Sequence, residues 1–201
     1  RYTEKFDLRQ FNYSMLTRSE RVSHENLRLR DKDWLEGMER HLAMRYTDGK
    51  VDKAIPPMFL PFSIKDMDLV NRVVVSPMSM YSAVDGLPSD WHLVHYGALA
   101  KGGAGLVFTE MTDISSDARI TPGCTGIWND EQEASWMRIV DFVHQQTEAK
   151  IALQIGHAGP KGATKEPWNW HPDRLDDPLD EQDTWPLLSL SPIHIGRCRR
   201  I

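Results

Sequence analysis

Apolar residues along this chain follow two rhythms, separated by a turn-rich stretch. Between positions 34 and 42, Trp34, Leu35, Met38, His41 and Leu42 recur at three- and four-residue spacing, which predicts a helix. Asp31 or Asp33 supplies its N-cap. The other apolar residues of this opening segment, Phe6, Leu8, Phe11, Tyr13, Met15 and Leu16, cannot close a core alone and need a partner surface. Thr47-Asp48-Gly49-Lys50 through Pro56-Pro57 then stops helix and strand alike, which predicts a domain boundary.

Beyond that boundary the pattern alternates. Phe62–Ile64 and Met67–Leu69 flank Lys65-Asp66 and read as a short hairpin. Arg72 to Ser76 is a valine-rich strand of the buried type. Ser89 caps a helix from Asp90 to Lys101, and Gly102-Gly103 ends it. Gly105 to Thr109 is a second strand. Asp130 opens a long helix with Trp136, Met137, Val140 and Val143 on one face, and Ile151 to Ile155 is a third strand. Strand, helix, strand, helix, strand with short connections implies a parallel sheet with right-handed crossovers. An open doubly wound sheet and a barrel both satisfy that order.

Each strand ends in residues with chemistry: Ser76 to Tyr81, Thr109 to Thr112, and Gln154 to Gly159. Both architectures bind ligands at the carboxyl ends of their strands. No Gly-x-Gly-x-x-Gly follows the first strand, and Pro77 stands in its place, which argues for a barrel. The expected fold class is α/β: an incomplete TIM (β/α)8 barrel with an N-terminal helical extension.

Composition narrows the function classes. The 201 residues are 40% hydrophobic and 26% charged, with a formal net charge of −5, as in ordinary globular chains. No apolar run approaches the roughly 18 residues of a membrane span, and a mildly acidic chain has no general attraction for nucleic acid. Cys124 and Cys198 are too few for a disulfide framework or an all-cysteine zinc site, and no metal is expected. No secretory pattern opens the chain, so the cytoplasm is the expected location. Residues 1–53 hold 12 basic and 10 acidic residues, either a contact surface for a phosphate-bearing ligand or a solvated helix face. Residues 173–185 hold six acids and one base, interrupted by proline, and read as an exposed loop rather than a metal site.

Four segments together resemble the Old Yellow Enzyme family of FMN-dependent ene reductases. They are Asn71 to Tyr81, His92-Leu93-Val94-His95-Tyr96, Gly126-Ile127-Trp128-Asn129-Asp130, and Gln154-Ile155-Gly156-His157-Ala158-Gly159-Pro160-Lys161. Each is short; their order and spacing from about residue 57 to 165 carry the resemblance. Phe11 to Ser19 and Asn26 to Asp31 resemble the C-terminal end of an FAD-dependent aromatic monooxygenase. The pairing is similar to the bifunctional group of salicylyl-CoA 5-hydroxylase and 2-aminobenzoyl-CoA monooxygenase/reductase. It implies three segments: 1–53 from the monooxygenase domain plus linker, 54–192 from the barrel, and 193–201, abruptly basic, as a non-native tail. Arg1 in place of Met, and 145 residues from Pro57 where a barrel takes about 250, lead to the expectation of a piece of a longer protein.

The resemblance implies FMN as cofactor, NADH or NADPH as reductant, and FAD in the preceding domain. Ser76, Pro77, Met78 and Ser79 would lie along the flavin near N5 and O4, and Met111 would touch it after the second strand. Gln154 would meet the pyrimidine edge, where a side chain that both donates and accepts suits the electron density gained on reduction. Ser79 stands where relatives often carry Cys or Thr, so no thiol tunes the flavin. Met111 replaces a small residue, which implies a narrowed or shifted pocket. Tyr81, His157 and Lys161 would face substrate, with Lys161 suited to an anionic one; a partly buried loop tyrosine and a structural histidine are the alternatives for the first two. The substrate would be an aromatic acyl-CoA or another activated alkene, receiving hydride from the reduced flavin. No catalytic proton donor is identified: that tyrosine, a His/Asn substrate anchor and the phosphate loops belong to later strands. The chain alone is therefore not expected to turn over. A non-catalytic docking fragment is the competing class. A metal-dependent barrel hydrolase using His92, His95 and His157 is disfavoured, because His-x-x-His on a helix presents its rings less well than i, i+4 spacing.

Overall fold

The computed structural model describes residues 31–173 and 175–188. The monooxygenase-like motifs, the apolar set from Phe6 to Leu16 and the basic tail lie outside the described residues. The chain divides into two compact units: residues 1–74 with 104–106, and residues 75–103 with 107–201.

In the first unit, helix α1 (Lys32–Tyr46) starts where Asp31 Oδ1 accepts the Trp34 N–H at 3.1 Å. It buries Leu35, Glu39 and Ala43, an i, i+4, i+8 stripe. Trp34, Met38 and Leu42 flank that stripe half-buried instead of forming it. Thr47 closes the helix, its hydroxyl donating to the Ala43 carbonyl at 2.7 Å and accepting from the Val51 N–H at 3.1 Å. Strands β1 (Phe62–Ile64) and β2 (Met67–Leu69) form the predicted hairpin, antiparallel, with Phe62 opposite Leu69. The Arg72 guanidinium lies over the Tyr46 ring at 4.2 Å and the Phe62 ring at 5.2 Å, an arrangement in which a cation meets two aromatic faces.

The second unit holds most of the parallel sheet. Strand β3 (Val74–Val75) neighbours β4 (Leu106–Asp113), which also pairs with β5 (Thr125–Gly126) and β6 (Lys150–Gly156). The predicted strand Arg72–Ser76 shrinks to two residues. At its start the Asn71 side chain captures the Val73 N–H at 3.0 Å, a local turn that competes with the ladder. Strand β4 runs four residues past its predicted end, because Thr112 and Asp113 pair in register with Thr125 and Gly126 of β5.

Helix α2 (Asp90–Lys101) follows the predicted bounds, with a capping box between Ser89 and His92. Helix α3 (Asp130–Gln146) is capped by Asn129 and buries Gln132, Trp136, Ile139 and Val143. Met137, expected on that face, is 55% exposed, since it lies one residue, about 100° of helix rotation, past Trp136. The buried Gln132 is satisfied: its carbonyl accepts from Trp128 N–H at 2.8 Å and its amide donates to the Asp85 carbonyl at 3.0 Å.

Candidate functional site

Alternation along β4 sorts its side chains onto two faces. Glu110 turns toward α2, where its Oε1 lies 3.1 Å from His92 Nε2 and 3.4 Å from the Tyr96 hydroxyl. Met111 therefore projects from the opposite face. A Cβ added to Gly156, at the end of β6, would sit 2.4 Å from Met111 Cγ, so the methionine occupies the space that glycine leaves. Gln154, two residues earlier on β6, shares the face of Gly156. Its backbone N–H donates to Thr109 Oγ1 at 3.1 Å, whereas its exposed side-chain amide has no partner among the described residues.

The turn after β3 carries Ser76, Pro77, Met78 and Ser79. Ser76, Met78 and Ser79 are exposed, and the N–H groups of Met78 and Ser79 have no partner among the described residues. The next N–H, that of Met80, donates to Glu110 Oε2 at 3.0 Å. Tyr81 has left-handed backbone (φ 51°) and meets the Trp168 ring edge-on, with centroids 6.3 Å apart. Burial, with help from Cys124, raises the pKa of its hydroxyl above the usual phenol value.

His157 and Lys161 lie beyond β6. The exposed His157 takes the Gly159 N–H on Nδ1 at 2.9 Å, and the exposed Lys161 ends a short 3-10 turn (Gly159–Lys161). Arg119 lies nearby in sequence to the loop after β4, its guanidinium 5.7 Å from the Trp128 ring and 4.9 Å from that of Trp185.

Two positions were not singled out by sequence reasoning. Glu110 gathers partners from two other segments, the turn after β3 and helix α2, neither adjacent to it in sequence. Asp113 is fully buried at the end of β4, and neither carboxyl oxygen has an aligned donor among the described residues. Burial pushes its pKa up to about 7, and the Arg119 charge and the Cys124 thiol pull it only part of the way back. Their common signal is an acid within an otherwise β-forming run, Thr109-Glu110-Met111-Thr112-Asp113.

Gly123 packs against the Tyr81 backbone. Its carbonyl accepts from the Ala83 N–H at 3.0 Å, and an added Cβ would lie 2.4 Å from the Tyr81 carbonyl oxygen. Because that neighbour is backbone, Gly123→Ala is expected to cost ~1–3 kcal/mol and to displace Tyr81. Urea unfolding, with the quenching of Trp168 fluorescence as a local probe, checks both effects.

Comparison with known proteins settles the family. Residues 57–184 match the NADH:flavin oxidoreductase / NADH oxidase family. The chain belongs to that family. An NADH:flavin oxidoreductase of Gibberella zeae is 40% identical over 111 residues, covering 55% of this chain and 27% of the relative. An NADPH dehydrogenase of Bacillus cytotoxicus is 42% identical over 106 residues, covering 52% of this chain and 30% of the relative. Among solved structures, morphinone reductase in complex with tetrahydroNAD is similar with a TM-score of 0.53 and 28% identity, over 72% of this chain and 43% of that one. Old Yellow Enzyme from Pichia sp. AKU4542 is similar with a TM-score of 0.51 and 26% identity, over 53% of this chain and 28% of that one. The chain thus spans under half the length of these NADH:flavin oxidoreductase relatives. The incomplete α/β barrel expected from the sequence agrees with these likenesses.

Proposed function

We propose that these residues form the first part of the flavin site of an FMN-dependent NAD(P)H oxidoreductase of the ene-reductase type. The observation that carries this reading is an open ledge of unsatisfied polar groups at the strand ends. It comprises the N–H groups of Met78 and Ser79 and the Gln154 side-chain amide, none of them partnered among the described residues; Gln154 shares a face with Met111. That donor set fits a flavin, a flat ring whose rim carries several acceptors and whose reduction adds negative charge. Bound there, FMN would supply hydride transfer from NADH or NADPH to an activated double bond.

The chain's own residues would then have distinct tasks. Ser76, Pro77, Met78 and Ser79 would line one edge of the ring, and Gln154 would donate where reduction places charge. The Met111 side chain, held over Gly156, would narrow the seat. Tyr81, His157 and Lys161 would face the substrate side, with Lys161 offering a cation to an anionic group. The fusion to an FAD-containing aromatic acyl-CoA monooxygenase, with an aromatic acyl-CoA as substrate and the three-segment division at residues 53 and 192, is supported by the sequence resemblance of Phe11–Ser19 and Asn26–Asp31 alone.

The test is made on the natural full-length chain that carries these residues. It is expected to retain FMN on purification and to reduce an activated enone with NADH or NADPH. Gln154→Leu is expected to weaken FMN binding about tenfold to hundredfold, the worth of hydrogen bonds to a charged group. Wild-type protein free of FMN, with no FMN affinity by fluorescence titration, would refute the reading.

A further inference from the structure

Glu110 sits at the junction of three segments, and every group around its carboxylate is a donor. On one side Oε2 accepts the Met80 N–H at 3.0 Å. On the other, Oε1 accepts the Tyr96 hydroxyl at 3.4 Å and lies 3.1 Å from His92 Nε2, off the line of that N–H. Glu110's own N–H donates to the Tyr96 oxygen at 2.8 Å, so the hydroxyl proton of Tyr96 is directed to the carboxylate. The Ser89 N–H donates to His92 Nδ1 at 2.9 Å. Nδ1 is therefore the unprotonated nitrogen, and the ring's proton is on Nε2, facing Glu110. His92 and Glu110 are 0% and 1% exposed.

Donors thus face both carboxyl oxygens. A glutamine placed there would set its NH2 either against the Met80 N–H or against the Tyr96 and His92 donors, and an unmatched pair of buried donors is costly. The consequence reaches the strand-end turn. A trans peptide holds N–H and C=O antiparallel, so fixing the Met80 N–H on Glu110 fixes the Ser79 carbonyl in the opposite direction. It thereby sets the orientation of the exposed turn that offers the Met78 and Ser79 amides.

We propose that Glu110 is a positioning residue that clamps the Ser76–Tyr81 turn from behind, through the Met80 peptide, and so pre-sets its amides for the flavin. The inference rests on the functional reading above, since without a flavin the turn has nothing to be positioned for. It assigns Glu110 no contact with substrate or cofactor.

The experiment uses the natural full-length protein, with Glu110→Gln as the test and Tyr96→Phe as the control. Tyr96→Phe removes a buried hydroxyl next to the carboxylate but leaves the clamp on Met80. Both variants are expected to unfold at lower urea concentration. Glu110→Gln alone is expected to raise the FMN dissociation constant about tenfold or more and to shift the flavin midpoint potential to a more negative value. Equal FMN affinity and potential in Glu110→Gln and wild type, or the same change in Tyr96→Phe, would overturn the inference while leaving the flavin reading intact. Wild-type protein that binds no FMN would overturn both. Amide hydrogen exchange, followed after the FMN has been removed, needs no variant: the Met80 N–H is expected to exchange at least about tenfold more slowly than those of Met78 and Ser79. Exchange as fast as theirs would show that no clamp exists.

Discussion

Trp136→Ala is expected to destabilise the second unit by ~3–5 kcal/mol, the range for removing a buried large aromatic side chain. The indole is 4% exposed and lies against the Tyr96 ring, with centroids 5.9 Å apart. Its Nε1 also donates to the Gly126 carbonyl at 3.1 Å, tying α3 to β5. Two losses therefore combine, a cavity and an orphaned carbonyl. Trp136→Phe separates them, because it restores much of the volume but not the donor, and its cost is expected near ~1–3 kcal/mol. Urea unfolding followed by far-ultraviolet circular dichroism measures both variants. Equal destabilisation by the two would assign the whole effect to the hydrogen bond.

Asp113→Asn is expected to stabilise the fold at pH 8 and to remove most of its pH dependence between about pH 4 and pH 7. In the folded chain, burial pushes the carboxyl from its ordinary 3.8 up to about 7. Over that window the unfolded chain has released its proton and the folded chain still holds it. The folded state binds more protons, so stability falls as pH rises, and the fall ends above the folded pKa. About three pH units at 1.36 kcal/mol each amount to ~4 kcal/mol, an upper figure that partial exposure during local opening reduces. Asparagine cannot ionise, so its unfolding midpoint should be nearly level from pH 5 to pH 8. A wild-type midpoint that rises over the same range would mean that Asp113 is ionised and paired in the folded state.

How much of this was legible depended on the range over which each feature is specified. Helix α2 was read to its ends because each end is set locally, by the Ser89 cap at one and by Gly102-Gly103 at the other. The hairpin at residues 62–69 was equally local. Strand β4 was cut short because Glu110 and Asp113 look like loop acids; the bond from Met80 explains the first inside a strand, and pairing with Gly126 of β5 explains the second. Strand β5 has two residues and exists through pairing with Thr112 and Asp113, for which no periodicity could speak. The same distinction holds at the site. Ser79, Met111 and Gln154 stood out through their placement at strand ends. Glu110 did not, because its partners lie 14 to 30 positions away.

The seating of Met111 over Gly156 imposes an order on any drift in this sequence. A β-carbon at position 156 would have to occupy the volume already taken by Met111 Cγ and Sδ. Shrinking residue 111 first opens that volume, and a side chain at 156 can follow. The reverse order passes through an intermediate with both groups competing for one space. The two positions are sterically coupled, and a library that randomises either one alone misses the shapes that need both to change.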